Sequence, residues 1–111
     1  MAGKFELKKI AGGKFVFNLT AANGRVILTG ETYQSKAAAL GGIDSVKKNA
    51  RGDANFERKV SKRSEPYFVL RAANKEIIGT SEMYSSPATM EDGIASVKAN
   101  AADASVEDLT G

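Results

Sequence analysis

Shifted by 51 positions, residues 5–50 of this chain lie on residues 56–101 without a gap, and 21 of the 46 aligned pairs are identical. Phe5-Glu6 falls on Phe56-Glu57, Ala21-Ala22-Asn23 on Ala72-Ala73-Asn74, and Ser45-Val46-Lys47 on Ser96-Val97-Lys98. The chain is a tandem duplication. An open solenoid needs roughly three repeats or more to bury its faces, so two copies are expected to close by packing on each other. The 111 residues then form one pseudosymmetric domain, 1–111, made of repeat 1 (about 4–52) and repeat 2 (about 55–109).

Each copy carries the same pattern. Phe5 and Leu7, and then Phe15, Phe17, Leu19 and Ala21, alternate with polar residues, the period-two mark of half-buried strands. Gly12-Gly13 separates the first two strands. Asn23-Gly24 separates the next two and predicts a two-residue type I′ hairpin turn, with Asn74-Lys75 in its place in the second copy. Val26-Ile27-Leu28 and Ile77-Ile78 read as short third strands.

The period then becomes helical. Ser35 and Ser86 stand at N-cap positions, and Pro87 follows where a missing N–H costs nothing. Ala39, Ile43, Val46 and Ala50 match Met90, Ile94, Val97 and Ala101, a spacing that lines one helix face. Gly42 and Gly93 sit inside the helices at equivalent places, which predicts close backbone packing there. Asn49 and Asn100 suit left-handed caps at the helix ends, and Ser105–Leu109 reads as a short closing strand. The expected fold is α+β: strand-strand-strand-helix(-strand) units joined edge to edge into one antiparallel sheet, covered by two helices, which leaves fewer open edges than two separate sheets would.

These residues resemble the YegP-like family of small bacterial proteins, which have one or two copies of a unit of roughly this size. The matching strings are Ala21-Ala22-Asn23-Gly24, the helix segment from Gly42 to Ala50, the segment from Gly79 to Ser86, Gly93-Ile94-Ala95-Ser96-Val97-Lys98 and the tail Val106-Glu107-Asp108-Leu109. The resemblance covers essentially the whole chain. It implies units of three strands, a helix and a last strand, combined into a single sheet with exchanged C-terminal strands. Single-copy members would reach that sheet as homodimers, so this internal pseudodimer is expected to be a monomer. The chain departs from the pattern at Lys75, in place of a turn Gly, and at Gly30, where repeat 2 has Ser81. The family brings no established reaction, cofactor or catalytic residue.

The residue types present narrow the chemistry. The chain has no His, Cys or Trp, which removes imidazole bases, thiolates, Ser-His-Asp triads and the usual zinc sites. No phosphate loop, dinucleotide fingerprint or metal-ligand spacing is present, so no catalytic residue, metal or cofactor is assigned. No apolar run reaches the roughly 20 residues that cross a bilayer, and no signal-peptide core is visible. A cytoplasmic location, with no membrane partner, is the expectation.

Two sets of residues could meet a partner. The first is the repeated Glu-x-Tyr-x-Ser, with Glu31, Tyr33 and Ser35 matching Glu82, Tyr84 and Ser86, at the approach to each helix. A carboxylate and a phenol beside a helix N-terminus could orient a small polar ligand. Equally, the Tyr could pack under the helix, the Ser cap it, and the Glu answer its exposed N–H groups. The second set is basic: Lys8, Lys9, Lys14, Lys47, Lys48 and Arg51 in the first half, a candidate nucleic-acid patch. Residues 1–52 carry a net charge of +6 and residues 53–111 a net −3. A nucleic-acid role inherited by both units should have kept both basic, and charge complementarity between halves explains the asymmetry as well. The best-supported function is a small non-catalytic binding or interaction module. Weak nucleic-acid binding is the alternative, and a small-molecule enzyme using the Glu-x-Tyr loops is the third.

Overall fold

The computed structural model describes residues 3–110. Seven strands and two helices follow the order of the sequence pattern. They are β1 (Lys4–Ile10), β2 (Lys14–Thr20), β3 (Val26–Gly30), α1 (Lys36–Asn49), β4 (Phe56–Val60), β5 (Pro66–Arg71), β6 (Ile77–Thr80), α2 (Pro87–Ala101) and β7 (Ser105–Asp108). All seven strands join one sheet, in the order β4-β5-β6-β3-β2-β1-β7. The two repeats meet where β3 pairs antiparallel with β6, with Thr29 opposite Thr80 and Gly30 opposite Gly79. Thr29 and Thr80 are themselves related by the 51-residue shift, so the pseudo-twofold axis passes between them.

Both helices lie on one face of the sheet and seal a single core. Phe5, Leu7, Phe17, Leu19, Leu28, Phe68 and Leu70 project from the strands, and Ile43, Val46, Ile94 and Val97 from the helices, all essentially excluded from water. Fully burying such side chains stabilises by roughly 1.5–3 kcal/mol each relative to leaving them exposed. Ser35 accepts a hydrogen bond from the Ala38 N–H at 3.1 Å, and Ser86 accepts one from Thr89 at 3.2 Å. In α2 the Thr89 hydroxyl accepts in return from the Ser86 N–H, which completes a capping box.

Four expectations are corrected. First, the sheet is mixed, because β7 runs parallel to β1, with Phe5 opposite Val106 and Leu7 opposite Asp108. Second, the exchange of last strands is one-way. The stretch of repeat 1 that matches β7 is residues 54–57, and it is used up in the 3₁₀ turn Asp53–Asn55 and the start of β4. The linker is too short to add a strand and then turn back into β4.

Third, the β2–β3 and β5–β6 turns have three residues, 22–24 and 73–75, inside the closing pairs Ala21–Arg25 and Ala72–Glu76. Ala21 N–H donates to Arg25 O and Gly24 N–H to Ala21 O, while only Gly24 takes a positive φ, +85°. That is a type I turn closed by a left-handed bulge residue. Asn23 serves as an acceptor for the Arg25 N–H at 3.0 Å, as Asn74 does for Glu76. Fourth, Asn49 and Asn100 lie within the last helical turns and take no left-handed conformation. Each donates its side-chain amide back to a carbonyl one turn earlier, Ser45 and Ser96, at 2.8 Å. Asn100 also accepts the buried Gly3 N–H at 2.8 Å, which ties the start of the chain to the end of α2.

Candidate functional site

The side chains of each repeat stack into the same row. Phe5 meets Phe17 edge to face with centroids 5.8 Å apart, and Phe17 stacks on Tyr33 at 5.9 Å and 18°. Phe56, Phe68 and Tyr84 repeat this at 5.7 and 6.2 Å. A cation closes each row: Lys47 Nζ lies 5.8 Å from the Phe5 ring centre and Lys98 Nζ 5.8 Å from that of Phe56. Such contacts are worth roughly 0.5–1 kcal/mol at exposed positions.

Tyr33 and Tyr84 sit at the far end of these rows, and local backbone geometry puts them there. Tyr33 exchanges both backbone hydrogen bonds with Phe15, at 2.8 and 2.7 Å. Tyr84 makes only the bond from its own N–H to Pro66 O, 2.8 Å, because Pro66 has no N–H to return. The phenol then lies across the helix where a glycine exposes its backbone. A Cβ on Gly42 would collide with the Tyr33 hydroxyl, and one on Gly93 with that of Tyr84. The mid-helix glycines make room for the two phenols.

Each half-buried tyrosine looks out into a crevice built from both repeats. The crevice at Tyr84, about 590 Å³, is also lined by Glu82, Thr89, Asp92 and Ser96 of repeat 2 and by Asn23 and Arg25 of repeat 1. Its counterpart at Tyr33, about 620 Å³, takes Glu31 and Gly42 from repeat 1 and Arg71, Lys75, Glu76 and Ile77 from repeat 2. Burial pushes both phenol pKa values up from the ordinary tyrosine value, and the Glu two residues earlier adds to the effect. At Tyr84 the nearby Arg25 opposes the rise. Both phenols are therefore neutral hydrogen-bond donors at physiological pH.

The crevices are related in shape but not in charge. Position 25 is Arg and its equivalent, position 76, is Glu. Arg71 is held in place by Glu57, its Nε donating at 2.7 Å, and by the Lys75 carbonyl at 2.7 Å. Arg25, Asp92, Arg71, Lys75 and Glu76 were not singled out from the sequence, because each reaches the crevice from a different element than the Glu-x-Tyr segment. The pairing of β3 with β6 places all of these but Asp92, since it carries each repeat's β2–β3 or β5–β6 connection to the other repeat's tyrosine, whereas Asp92 comes from α2 of the same repeat as Tyr84.

The Glu-x-Tyr-x-Ser residues divide by role. Ser35 and Ser86 are occupied as helix caps, Glu31 and Glu82 are exposed on the crevice rims, and the tyrosines form the walls. The basic set does not converge on one surface. Lys8 and Lys14 project from the sheet face opposite the helices, and Lys9 from the helix-side register beyond the core. Lys47 lies against Phe5, Lys48 beside the Ala72–Asn74 loop, and Arg51 just past α1. No group of three or more metal-ligating side chains occurs among the described residues, and no described helix is long and apolar enough to cross a membrane.

Known proteins match this chain along its length. The domain family described as "Domain of unknown function (DUF1508)" matches twice, over residues 11–57 and 61–108. A UPF0339 protein of Acinetobacter baylyi is 49% identical over 111 residues, covering 100% of both chains. The UPF0339 protein YegP of Yersinia pestis is 47% identical over 97% of this chain and 96% of its own. The solution structure of YegP from E. coli, described as a protein of unknown function, superposes with a TM-score of 0.94 at 48% identity, covering 100% of this chain and 96% of that one. A UPF0339 protein from Shewanella oneidensis superposes at 0.93 with 47% identity, over 99% and 93%. With two family matches in tandem and full-length relatives at nearly half identity, the chain belongs to the DUF1508 family of YegP-like UPF0339 proteins.

Proposed function

We propose that this protein is a small, monomeric, non-catalytic binding module whose ligand sites are the two crevices at Tyr33 and Tyr84. One observation carries the proposal: each phenol is neutral, makes no hydrogen bond among the described residues, and opens into a crevice whose walls come from both repeats. A donor held rigidly by ring stacking and by a helix glycine loses little freedom when a ligand arrives. The groups around Tyr84 suit a small polar molecule carrying both charges, with Arg25 for its anionic group and Glu82 or Asp92 for its cationic one. Glu76 replaces that arginine at the Tyr33 crevice, so the two sites discriminate between ligands.

A thermal-shift screen against small polar metabolites tests this. A ligand at 100 times its dissociation constant adds about 2.7 kcal/mol to stability, a readily measured rise in Tm. The expected result is a hit whose shift disappears in Tyr84→Phe or Arg25→Glu and persists in Tyr33→Phe, or the reverse dependence for the second crevice. Tyr→Phe itself should change stability by no more than about 0.5 kcal/mol, since no hydrogen bond is lost. A hit insensitive to both tyrosines, or no hit across the screen, ends the proposal.

A further inference from the structure

The Tyr84 crevice holds three charges that no ion pair uses. Arg25, Glu82 and Asp92 line it, and none of them is paired with an opposite charge among the described residues. Two of the three belong to this crevice alone. The 51-residue shift lays Arg25 on Glu76 and Gly41 on Asp92, and only Glu82 keeps a like counterpart, Glu31. Resting on the reading of this crevice as a ligand site, we propose that it takes a free basic amino acid of the lysine, ornithine or arginine class. Such a molecule brings one carboxylate for Arg25 and two cations, for Glu82 and Asp92.

The walls distribute these charges as such a ligand needs them. Arg25 and Glu82 both act on the Tyr84 phenol, Glu82 raising its pKa and Arg25 lowering it. A carboxylate between Arg25 and the phenol meets a guanidinium and a neutral O–H donor, with Glu82 near enough for the adjoining α-ammonium. Asp92 stands on the α2 wall, one turn after Thr89 and one residue before Gly93, the glycine that the phenol crosses. It is the carboxylate left for the side-chain cation. Val26 and the half-exposed Met83 line the same crevice and offer the methylene chain an apolar surface. At about 590 Å³ the crevice has room for one such molecule.

The Tyr33 crevice lacks this set. Its arginine, Arg71, is already bound to Glu57, with Nη2 at 2.6 Å and Nε at 2.7 Å. Glu76 accepts from the Asn74 amide at 3.1 Å, and position 41 is Gly. A ligand there competes with contacts the protein already makes, whereas at Tyr84 its charges meet free partners. The same charges reject other ligands. An acidic molecule would face two carboxylates for one guanidinium, and a polyamine would leave Arg25 unanswered.

The test uses the full-length protein, isotopically labelled for NMR, with L-lysine, L-ornithine and L-arginine as probes. At least one should shift the Arg25, Glu82, Tyr84 and Asp92 amides saturably below about 10 mM. For lysine, three analogues each remove one charge: 1,5-diaminopentane the carboxylate, Nα-acetyl-lysine the α-ammonium, and norleucine the side-chain ammonium. Each should bind at least about tenfold more weakly, and so should lysine itself to Arg25→Gln and Asp92→Asn. Both substitutions are at exposed positions, and unchanged signals from the core strands show that the variants are folded. The proposal is overturned if none of the three amino acids gives a saturable shift, or if shifts centre on Tyr33 and Gly42. It is equally overturned if an analogue lacking a charge binds as tightly as its parent. A Tyr84-dependent hit of another class in the metabolite screen, with all three amino acids inert, would refute this ligand and keep the crevice. A screen without any tyrosine-dependent hit would refute both.

Discussion

Gly42 and Gly93 show how a single atom organises this protein. An exposed helix Gly changed to Ala usually gains about 1 kcal/mol. Here the added Cβ meets a tyrosine hydroxyl held by stacking on Phe17 or Phe68, so overpacking decides the sign. Gly42→Ala and Gly93→Ala should each destabilise by about 1–3 kcal/mol in urea unfolding. Adding Tyr33→Phe to Gly42→Ala should recover part of that loss, and strictly additive effects would show that the hydroxyl is not the obstacle. Lys75 makes the complementary case. It holds φ at +71° where repeat 1 has Gly24 at +85°, and a side chain in that region costs about 1–2 kcal/mol. Lys75→Gly should therefore stabilise by about 0.5–1 kcal/mol after the larger unfolded-state entropy of Gly is deducted. An unchanged or lower urea midpoint would contradict this.

Among the elements, β7 is the most conditional. It has four residues, both its carboxylates face lysines, and Val106 on it and Leu109 just after it are partly exposed. The Lys36 ammonium, followed by the Thr110 hydroxyl and amide, holds the Asp108 carboxyl well below the usual carboxylate range. A folded-state pKa below the unfolded one contributes stability that is complete above about pH 4 and is lost as pH falls through the folded value. The β7 amides should thus lose hydrogen-exchange protection in acid before those of β2 and β3 do. Asp108→Asn should lower the protection at pH 7 and flatten its pH dependence. Equal protection of wild-type β7 at pH 7 and pH 3 would show that packing of Ala104, not the ion pair, retains the strand. At the opposite edge, Asp53 is lowered mainly by its bond from Lys98 and then by Arg58, and Glu91 by Arg58. The 3₁₀ turn and the start of β4 should therefore loosen over the same acid range.

For the whole molecule, the β3–β6 seam is the decisive contact. It continues the ladder between repeats and lets α1 and α2 cover a common core. A chain cut after residue 52 should give two fragments that do not fold separately, because each would expose β3 or β6 as a new edge beside a half-covered core. Mixing them should restore the complex, measured by circular dichroism and by the dispersion of backbone NMR signals. A stable, monomeric fragment of residues 1–52 would show that the repeats are independent domains. The divided charge, +6 and −3, finds an intramolecular use: acidic β7 of repeat 2 sits on Lys4 and Lys36 of repeat 1. These are exposed pairs, each worth about 0–1 kcal/mol, so they select the register of β7 more than they hold it.

The repeat, the strand alternation, the Ser35 and Ser86 caps and the helix faces were all legible in the amino-acid order. Each depends on neighbours within a few residues, where periodicity and capping chemistry operate. Even the glycine pair announced close packing at the helix backbone, although not the tyrosine that makes it. The three-residue turns are not legible in the sequence, because Asn-Gly has two roles and only backbone geometry shows Asn23 accepting a hydrogen bond beside a left-handed Gly24. The parallel pairing of β7, the bare edge of β4 and the two mixed crevices lay beyond local reach. They depend on which strand edges meet across the pseudo-twofold axis, and on a linker that goes directly into β4 after α1. By itself the sequence determined a duplicated unit too small to close its own sheet. Tertiary structure alone decided where that closure is complete and where it is left open, because a sheet edge is satisfied by partners that local pattern does not encode.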